Sequence, residues 1–274
     1  MSLKPIIFRE YIGSKDGSKH LNFPVDIINN KVKEFHFILA FAKEGYQNNK
    51  GSGIFTASWD LTAFNVESIK NLKKDHPNAK VIVSIGGPKD ITLFNVDERH
   101  AWLFNATKSL TEIITHYDID GIDINYETIL SSTEDFVFCI GGLIKQLKEE
   151  NIITSASIAP SEAVHPHYNL LFNAYKKYID WVDYKFYDHF LPSKEQFKEL
   201  YNKLSSDYPS VLLAGFSTNT KDEIYLSQGT FLDACQELID TNLLPGIFVY
   251  DADYSKATGY QVEGLAQNMI VEDI

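Results

Sequence analysis

The stretch that decides the fold is a short strand with polar residues at alternate positions, Asp120-Gly121-Ile122-Asp123-Ile124-Asn125-Tyr126-Glu127. Alternate side chains of a β-strand point to the same face. If Glu127 points into the mouth of a barrel, Asn125 and Asp123 lie below it on the inner face, and the two isoleucines face the surrounding helices. Buried polar side chains are costly unless they serve each other or a ligand. This strand therefore predicts a functional site as well as a fold.

Similar short runs recur along the chain and alternate with longer amphipathic segments, which is typical of βα units around a parallel sheet. The eight predicted strands are 6–10, 35–42, 80–85, 121–126, 154–159, 181–187, 211–216 and 246–250. The predicted helices are 65–75, 101–116, 134–150, 168–179, 194–206, 229–240 and 258–268. The two longest stretches expected to lack regular structure, 43–60 and 86–100, follow strands and should lie at the active-site face.

The chain length and the region after the first strand favour a closed sheet over an open one. The 274 residues match the roughly 250 that a complete barrel needs. No glycine-rich phosphate loop follows the first strand. We therefore predict an α/β protein in which residues 1–274 form a single (β/α)8 TIM barrel domain.

Composition excludes two classes of partner. The net charge of −12, from 25 basic and 37 acidic residues, repels phosphate backbones and anionic lipid surfaces, so neither nucleic acid nor membrane is expected to bind. The apolar run at the N-terminus is too short, and the sequence around it is too charged, for a signal peptide. Cys139 and Cys235 both fall in predicted helices, and we interpret them as buried thiols rather than a disulfide. These features together predict a cytoplasmic protein.

Glu127 at the end of its strand has two interpretations, and the residues alone favour neither of them. It is well placed to be a general acid, and it is equally explained as a buried carboxylate satisfied by a nearby lysine or arginine. The first strand adds a further charge, because alternation sends either Arg9 or Glu10 inward. We predict no metal and no cofactor, since the short His165-Pro166-His167 segment has no strand carboxylate near it.

Four landmarks in order along the chain resemble the chitinase-like glycoside hydrolase family 18. The stretch that ends at Glu127 resembles the family signature Asp-Gly-x-Asp-x-Asp-x-Glu at every fixed position except Asn125. Three further segments resemble family motifs at the ends of the third, sixth and eighth strands, and they read Ser84-Ile85-Gly86-Gly87, Lys185-Phe186-Tyr187-Asp188 and Gly246-Ile247-Phe248-Val249-Tyr250. The segments PIIFREYIG and WVDYKFYD resemble narbonin and related legume seed proteins, which are barrels without chitinase activity.

The resemblance implies a substrate-assisted, retaining hydrolysis. The acetamido oxygen of the sugar attacks its own anomeric carbon while Glu127 protonates the leaving oxygen. The residue at position 125 holds the acetamido N–H and balances the positive charge of the intermediate. The same resemblance implies catalytic roles for Asp123 and Tyr187, and it implies substrate-binding roles for five further residues, namely Tyr250, Asp188, Lys185, Ser84 and Gly86.

Three departures from the family pattern weaken this chemistry. Asn125 accepts a hydrogen bond but supplies no negative charge, which costs several kcal/mol of transition-state stabilisation in a water-poor site. Lys185 stands where the family has an uncharged residue, and we predict an ion pair with Asp123 or Glu127. Pairing with Glu127 favours its ionised form and makes it a poor acid. Tyr250 replaces the tryptophan under the reacting sugar. Lys89 is expected to be a solvated loop residue.

We therefore predict a chitinase-like protein with weak or no hydrolase activity. It would be a plant seed storage-type protein or a pseudoenzyme that binds a glycan or a protein. The expected ligand is a chito-oligosaccharide or another N-acetylglucosamine-containing glycan. One alternative is an active endo-acting hydrolase of such oligosaccharides, in which Asn125 orients the acetamido group and Tyr187 supports the intermediate. Another is a barrel enzyme of unrelated chemistry in the same pocket.

Overall fold

In the part of the chain that the structure describes, nine strands build the sheet, and eight of them close into a parallel barrel. The computed structural model describes residues 6–14, 20, 22–87, 92–221 and 225–272. The strands are β1 (Ile7–Ile12), β2 (Glu34–Gln47), β3 (Lys50–Ala57), β4 (Ala79–Gly87), β5 (Gly121–Tyr126), β6 (Ser155–Ile158), β7 (Trp181–Asp183), β8 (Leu212–Ser217) and β9 (Gly246–Tyr250). β1 closes the barrel because it pairs in parallel with both β2 and β9. The predicted (β/α)8 TIM barrel is confirmed.

The helices surround the barrel in alternation with its strands. They are α1 (Val66–Asp75), α2 (Arg99–Tyr117), α3 (Thr133–Glu149), α4 (His165–Tyr175), α5 (Lys194–Asp207), α6 (Gln228–Asp240), α7 (Ala252–Ser255) and α8 (Gln261–Glu272). The Ser132 hydroxyl caps α3 by accepting a hydrogen bond from the Asp135 amide at 3.1 Å. α8 starts three residues later than predicted, because a 3₁₀ turn and the left-handed Gly259 precede it. None of the described helices is long and apolar enough to cross a bilayer.

Strand alternation separates the apolar side chains into two clusters. Ile122 and Ile124 of β5 point outward into the large core between the sheet and the helices. Full burial of each such side chain stabilises the fold by about 1.5–3 kcal/mol. A much smaller cluster, which includes Tyr11 and Phe248, lies inside the barrel. Many of the remaining inner positions carry polar or charged side chains. Apolar packing alone therefore does not fill the inside of the barrel.

The prediction that 43–60 lacks regular structure is wrong. β2 continues beyond the barrel and pairs with β3 as an antiparallel hairpin. Its turn contains Asn48 and Asn49 at φ 51° and 60°, values that tight hairpin turns require. The Glu44 carboxylate anchors the hairpin by accepting hydrogen bonds from Trp102 Nε1 at 2.6 Å and the Tyr126 hydroxyl at 2.8 Å. The glycines of β3 obscured its strand pattern, whereas the two asparagines were a usable signal.

The predicted strand 181–187 is too long. β7 ends at Asp183, because the Lys185 amide bonds the Pro160 carbonyl at 3.0 Å and Phe186–Asp188 coil into a 3₁₀ turn. The stretch 86–100 is shorter than predicted, since β4 includes Gly86 and α2 begins at Arg99. Lys89 lies outside the described residues, so its expected solvation stays a prediction.

Candidate active site

Asp123 is the centre of a hydrogen-bond network inside the barrel. Its Oδ2 accepts from the Tyr11 hydroxyl at 2.8 Å and the Ser84 hydroxyl at 2.7 Å. Its Oδ1 accepts from the Ser157 hydroxyl at 2.7 Å. These donors come from β1, β4 and β6, so the carboxylate fixes three strands relative to β5. Three hydrogen bonds therefore satisfy a carboxyl group that is completely buried.

An ion pair lies below this network, between Arg9 of β1 and Asp183 of β7. Arg9 Nε is 3.3 Å from Asp183 Oδ2, and neither side chain is exposed. Arg9 also donates from Nη2 to the Ser157 hydroxyl at 2.6 Å. Burial raises the pKa of Asp183 to about 7, Arg9 opposes that shift and the nearby Asp123 adds to it. Of the two candidates in the first strand, Arg9 is therefore the inward one.

Asn125 stands one layer above Asp123 and has an unsatisfied acceptor. The side chain is 1% exposed, and its Oδ1 receives no hydrogen bond within the described part of the chain. Gly86 of β4 runs close to the Asn125 backbone. A Cβ at Gly86 would lie 2.7 Å from the Asn125 carbonyl, and its φ of +95° also disfavours other residues. Gly86 thus shapes the wall beside Asn125 rather than offering a side chain.

The ion pair predicted for Lys185 forms with Glu127. Lys185 Nζ contacts Glu127 Oε1 across the mouth of the barrel. The lysine side chain is 4% exposed and the glutamate side chain 27% exposed, so only the carboxylate reaches solvent appreciably. Asp123 is not the partner, because three hydroxyls already occupy its oxygens. The Lys185 ammonium therefore lies against an oxygen atom of the carboxyl group that the sequence predicts as the general acid.

Aromatic side chains form one side of the mouth. The Tyr187 and Tyr250 rings stack with centroids 6.2 Å apart and an interplanar angle of 23°. Tyr250 also contacts Tyr11, with centroids 5.3 Å apart. Burial raises the pKa of both Tyr250 and Tyr11, so their hydroxyls stay protonated at neutral pH. The stacked rings form an apolar surface of the kind on which a sugar ring can pack.

The structure brings most of the predicted site residues together. Asp123, Asn125 and Ser84 form the inner layers, and the Lys185–Glu127 pair and the two stacked tyrosines surround the mouth. Asp188 instead ends the 3₁₀ turn with an exposed side chain. No group of three metal-binding side chains occurs in the residues that the structure describes.

Sequence reasoning missed Tyr11, Ser157 and Asp183 as members of the site. Each occupies an inward position of its strand: Tyr11 is in phase with Arg9, and Asp183 is in phase with Lys185. The alternation that identified Asn125 and Asp123 would have found these residues had it been applied to every strand.

Comparisons with known proteins agree with this architecture. The family described as Glycosyl hydrolases family 18 matches residues 11–234, and the chain belongs to that family. It is 35% identical to Chitinase 1 of Tulipa saxatilis subsp. bakeri over 279 residues, covering 97% of this chain and 87% of the relative. It is 33% identical to the RuBisCO-associated protein of Glycine max over 261 residues, covering 90% of each.

A solved structure gives the same result. The catalytic domain of a family GH18 chitinase from the fern Peteris ryukyuensis superposes with a TM-score of 0.89 at 39% identity, covering 97% of this chain and 99% of that one. The protein is therefore a chitinase-like member of the family, and the fold and ancestry predicted from its signature strand are confirmed.

Proposed function

We propose that this protein has little or no hydrolase activity and serves as a glycan- or protein-binding protein or as a storage-type protein. The observation that carries the proposal is the contact between Lys185 Nζ and Glu127 Oε1. In the family reaction the glutamic acid must give a proton to the leaving oxygen. Here a lysine ammonium holds an oxygen atom of that carboxyl group, and this contact competes with transfer of a proton to a leaving oxygen.

Asn125 supports the same proposal through a missing charge. The family reaction builds positive charge on the sugar, and an amide at this position does not balance it. The loss matters most where water is excluded, and Asn125 is 1% exposed. Together the two substitutions hinder proton donation and remove the counter-charge, while they leave the stacked Tyr187 and Tyr250 rings to hold a ligand.

Two further observations bear on the partner and the compartment. One relative carries the name RuBisCO-associated protein, and that name supports a protein-binding role here. Cys139 and Cys235 are both free and buried, as interpreted from the sequence. Free thiols fit a reducing compartment such as the cytoplasm, where chitin is absent, and this supports a role other than chitin breakdown.

A second function, hydrolysis of N-acetylglucosamine-containing oligosaccharides, has specific support of its own. Glu127 and Tyr187 are retained, Asp123 keeps its hydroxyl donors, and two of the relatives above are chitinases. An ion pair that reaches solvent at Glu127 is also one that a bound sugar can displace.

Turnover of a chitotetraose-type substrate separates the two functions. The native protein, Asn125→Asp and Glu127→Gln should be compared at the same concentration. We expect no turnover by the native protein above that of Glu127→Gln, and weak turnover by Asn125→Asp. Native turnover that disappears in Glu127→Gln would establish the hydrolase instead. Titration calorimetry with the same oligosaccharide tests glycan binding, and the absence of heat at millimolar ligand would leave protein binding or storage.

A further inference from the structure

Glu10 is an acidic side chain on the outer face of β1, and it is completely buried. The residues beside it in the neighbouring strands, Phe37 of β2 and Val249 of β9, are apolar. Neither of its side-chain oxygens receives a hydrogen bond from the described residues. An ionised carboxylate is strongly disfavoured in such a place, because burial removes its water and no donor replaces it.

The charged groups around Glu10 are themselves acids. They are Glu263 in the first turn of α8, Asp251 at the N-cap of α7 and Asp253 in the first turn of α7. Tyr260, in the turn between the two helices, also lies within electrostatic range of Glu10. No cation is among the groups that act on Glu10 in the described part of the chain, so nothing there offsets a negative charge.

The two aspartates differ from the β1 carboxyl group, because donors already hold them. Asp251 accepts a hydrogen bond from the Asp253 amide at 2.9 Å. Asp253 accepts one from the Gly13 amide at 3.2 Å, and His20 Nε2 lies 2.6 Å from the same oxygen. The interface between β1 and α8 is therefore the place where a carboxyl group without donors meets a second completely buried one, that of Glu263.

Glu10 and Glu263 cannot both be charged while this interface is closed. Burial raises the pKa of each, and the Glu263 carboxyl group adds to the shift at Glu10. When the interface opens, water solvates both groups and each pKa returns toward its usual value of 4.5. Opening above that pH releases a proton, so a rise in pH favours the open form.

The helix α8 can open without breaking the barrel. Its polar attachment is Gln267, whose Nε2 donates to the Ile27 carbonyl at 2.7 Å and whose Oε1 accepts from the Asn29 amide at 2.9 Å. Three apolar side chains complete its buried face, namely Val262, Ala266 and Ile270. β1 keeps its pairing with β2 and β9 when this helix leaves, so the opening is local.

We propose that α8 is a pH-sensitive latch on the strand that closes the barrel. It stays docked while the Glu10–Glu263 pair holds a proton, and it opens locally as the pH rises. The latch needs neither Glu127 nor a ligand, so it is independent of the function proposed above.

Hydrogen–deuterium exchange of the α8 amides at pH 5, 6 and 7 tests the latch, with each rate divided by the intrinsic rate at that pH. For every proton released on opening, the opening equilibrium constant of α8 should rise about tenfold per pH unit above the usual pKa of 4.5. The amides of α3, which packs against α2 and α4, are the internal reference and should keep the same protection.

Substitutions identify the groups that carry the proton. Glu10→Gln and Glu263→Gln should each reduce the rise, and the double variant should abolish it, because an amide has no proton to release. Glu112→Gln is the matched control, since it removes an exposed carboxylate of α2, and it should behave like the native protein.

Any of three results would overturn the proposal. The first is protection of α8 in the native protein that does not change from pH 5 to pH 7. The second is a rise of native size in every variant that lacks Glu10, Glu263 or both. The third is a rise in α3 that equals the rise in α8, because it would mean that the whole barrel unfolds.

Discussion

Arg9 and Glu10 are neighbours in β1, both are completely buried, and they meet opposite surroundings. Arg9 points into the barrel, where Asp183 and the Ser157 hydroxyl receive it. Glu10 points outward, toward the carboxyl groups of Glu263, Asp251 and Asp253. On the inner face acids meet cations and hydroxyls, whereas the Glu10 carboxyl group behind β1 meets other carboxyl groups.

The difference shows that one protein buries acidic groups in two ways. Inside the barrel three hydroxyl groups donate hydrogen bonds to the Asp123 carboxyl oxygens. Behind β1 burial raises the pKa of Glu10 well above its usual value, and the nearby carboxyl groups raise it further. Both Glu10 oxygens are buried without a hydrogen-bond donor among the described residues. Glu10 therefore tolerates burial by holding a proton, which removes its charge.

The largest effect is expected from breaking the inner ion pair with Arg9→Met. Removal of one partner leaves Asp183 buried next to Asp123 with no cation to offset them. We expect a loss of about 3–5 kcal/mol in the free energy of unfolding at pH 8, measured by urea denaturation. The loss should be smaller at pH 5, because burial already raises the pKa of Asp183 to about 7 and the carboxyl then takes up a proton.

Arg99→Met is the control for that measurement. Arg99 pairs with Glu134 at 2.9 Å, but the two side chains are 35% and 81% exposed. Exposed pairs contribute at most about 1 kcal/mol. If Arg9→Met costs no more than Arg99→Met at pH 8, the inner pair does not have the stabilising role assigned to it.

The next effect is catalytic and concerns the second ion pair of the inner face. Lys185→Gln, added to Asn125→Asp, should raise turnover of the chitotetraose-type substrate about 100-fold over Asn125→Asp alone. General acid catalysis contributes about 10²–10⁴-fold, and Lys185→Gln removes the contact that opposes proton donation by Glu127. Adding Glu127→Gln to the double variant should abolish the gain. Equal rates with and without Lys185 would mean that the ion pair does not limit the chemistry.

A smaller effect of opposite sign is expected behind β1. Glu10→Gln should raise the free energy of unfolding at pH 8 by about 1–2 kcal/mol. The folded-state pKa of Glu10 is raised, so its favourable contribution is complete below the usual value of 4.5 and is lost as the pH rises through the folded-state pKa. The amide carries no proton to lose. Thermal unfolding of both proteins from pH 5 to pH 9 should therefore diverge as the pH rises.

The control for Glu10→Gln is Glu112→Gln, which removes an exposed carboxylate of α2. It should leave the pH dependence of the native protein unchanged. A Glu10→Gln variant that is less stable than the native protein at pH 9 would contradict a protonated Glu10.

Much of this arrangement follows from the sequence, because strand alternation and the βα order are local properties. Alternation put Asp123 and Asn125 on one face, and the βα pattern predicted a closed barrel. The hairpin partner β3 was missed because its glycines carry little strand preference. The two candidates of β1 were also left open, since alternation fixes that one residue points inward but not which one.

Contacts across the barrel could not be predicted from the sequence. Arg9 of β1 reaches Ser157 of β6, and such a contact depends on barrel diameter and strand stagger rather than on sequence spacing. The pairing of Lys185 with Glu127 rather than with Asp123 could not be predicted for the same reason. It depends on the height of each carboxyl group in the barrel and on the hydroxyls from three other strands that already bind Asp123.

The smallest effect is expected from Lys185→Gln on stability, and it compares the two inner ion pairs directly. The Glu127 side chain is 27% exposed, whereas both members of the Arg9–Asp183 pair have no exposure. Water can therefore solvate Glu127 once the ammonium is gone, and the free energy of unfolding should change by less than about 1 kcal/mol. Urea denaturation at pH 8, beside Arg9→Met, gives the comparison. A loss as large as that of Arg9→Met would mean that the mouth pair holds the barrel together, and Lys185 would then be retained for the fold rather than for control of Glu127.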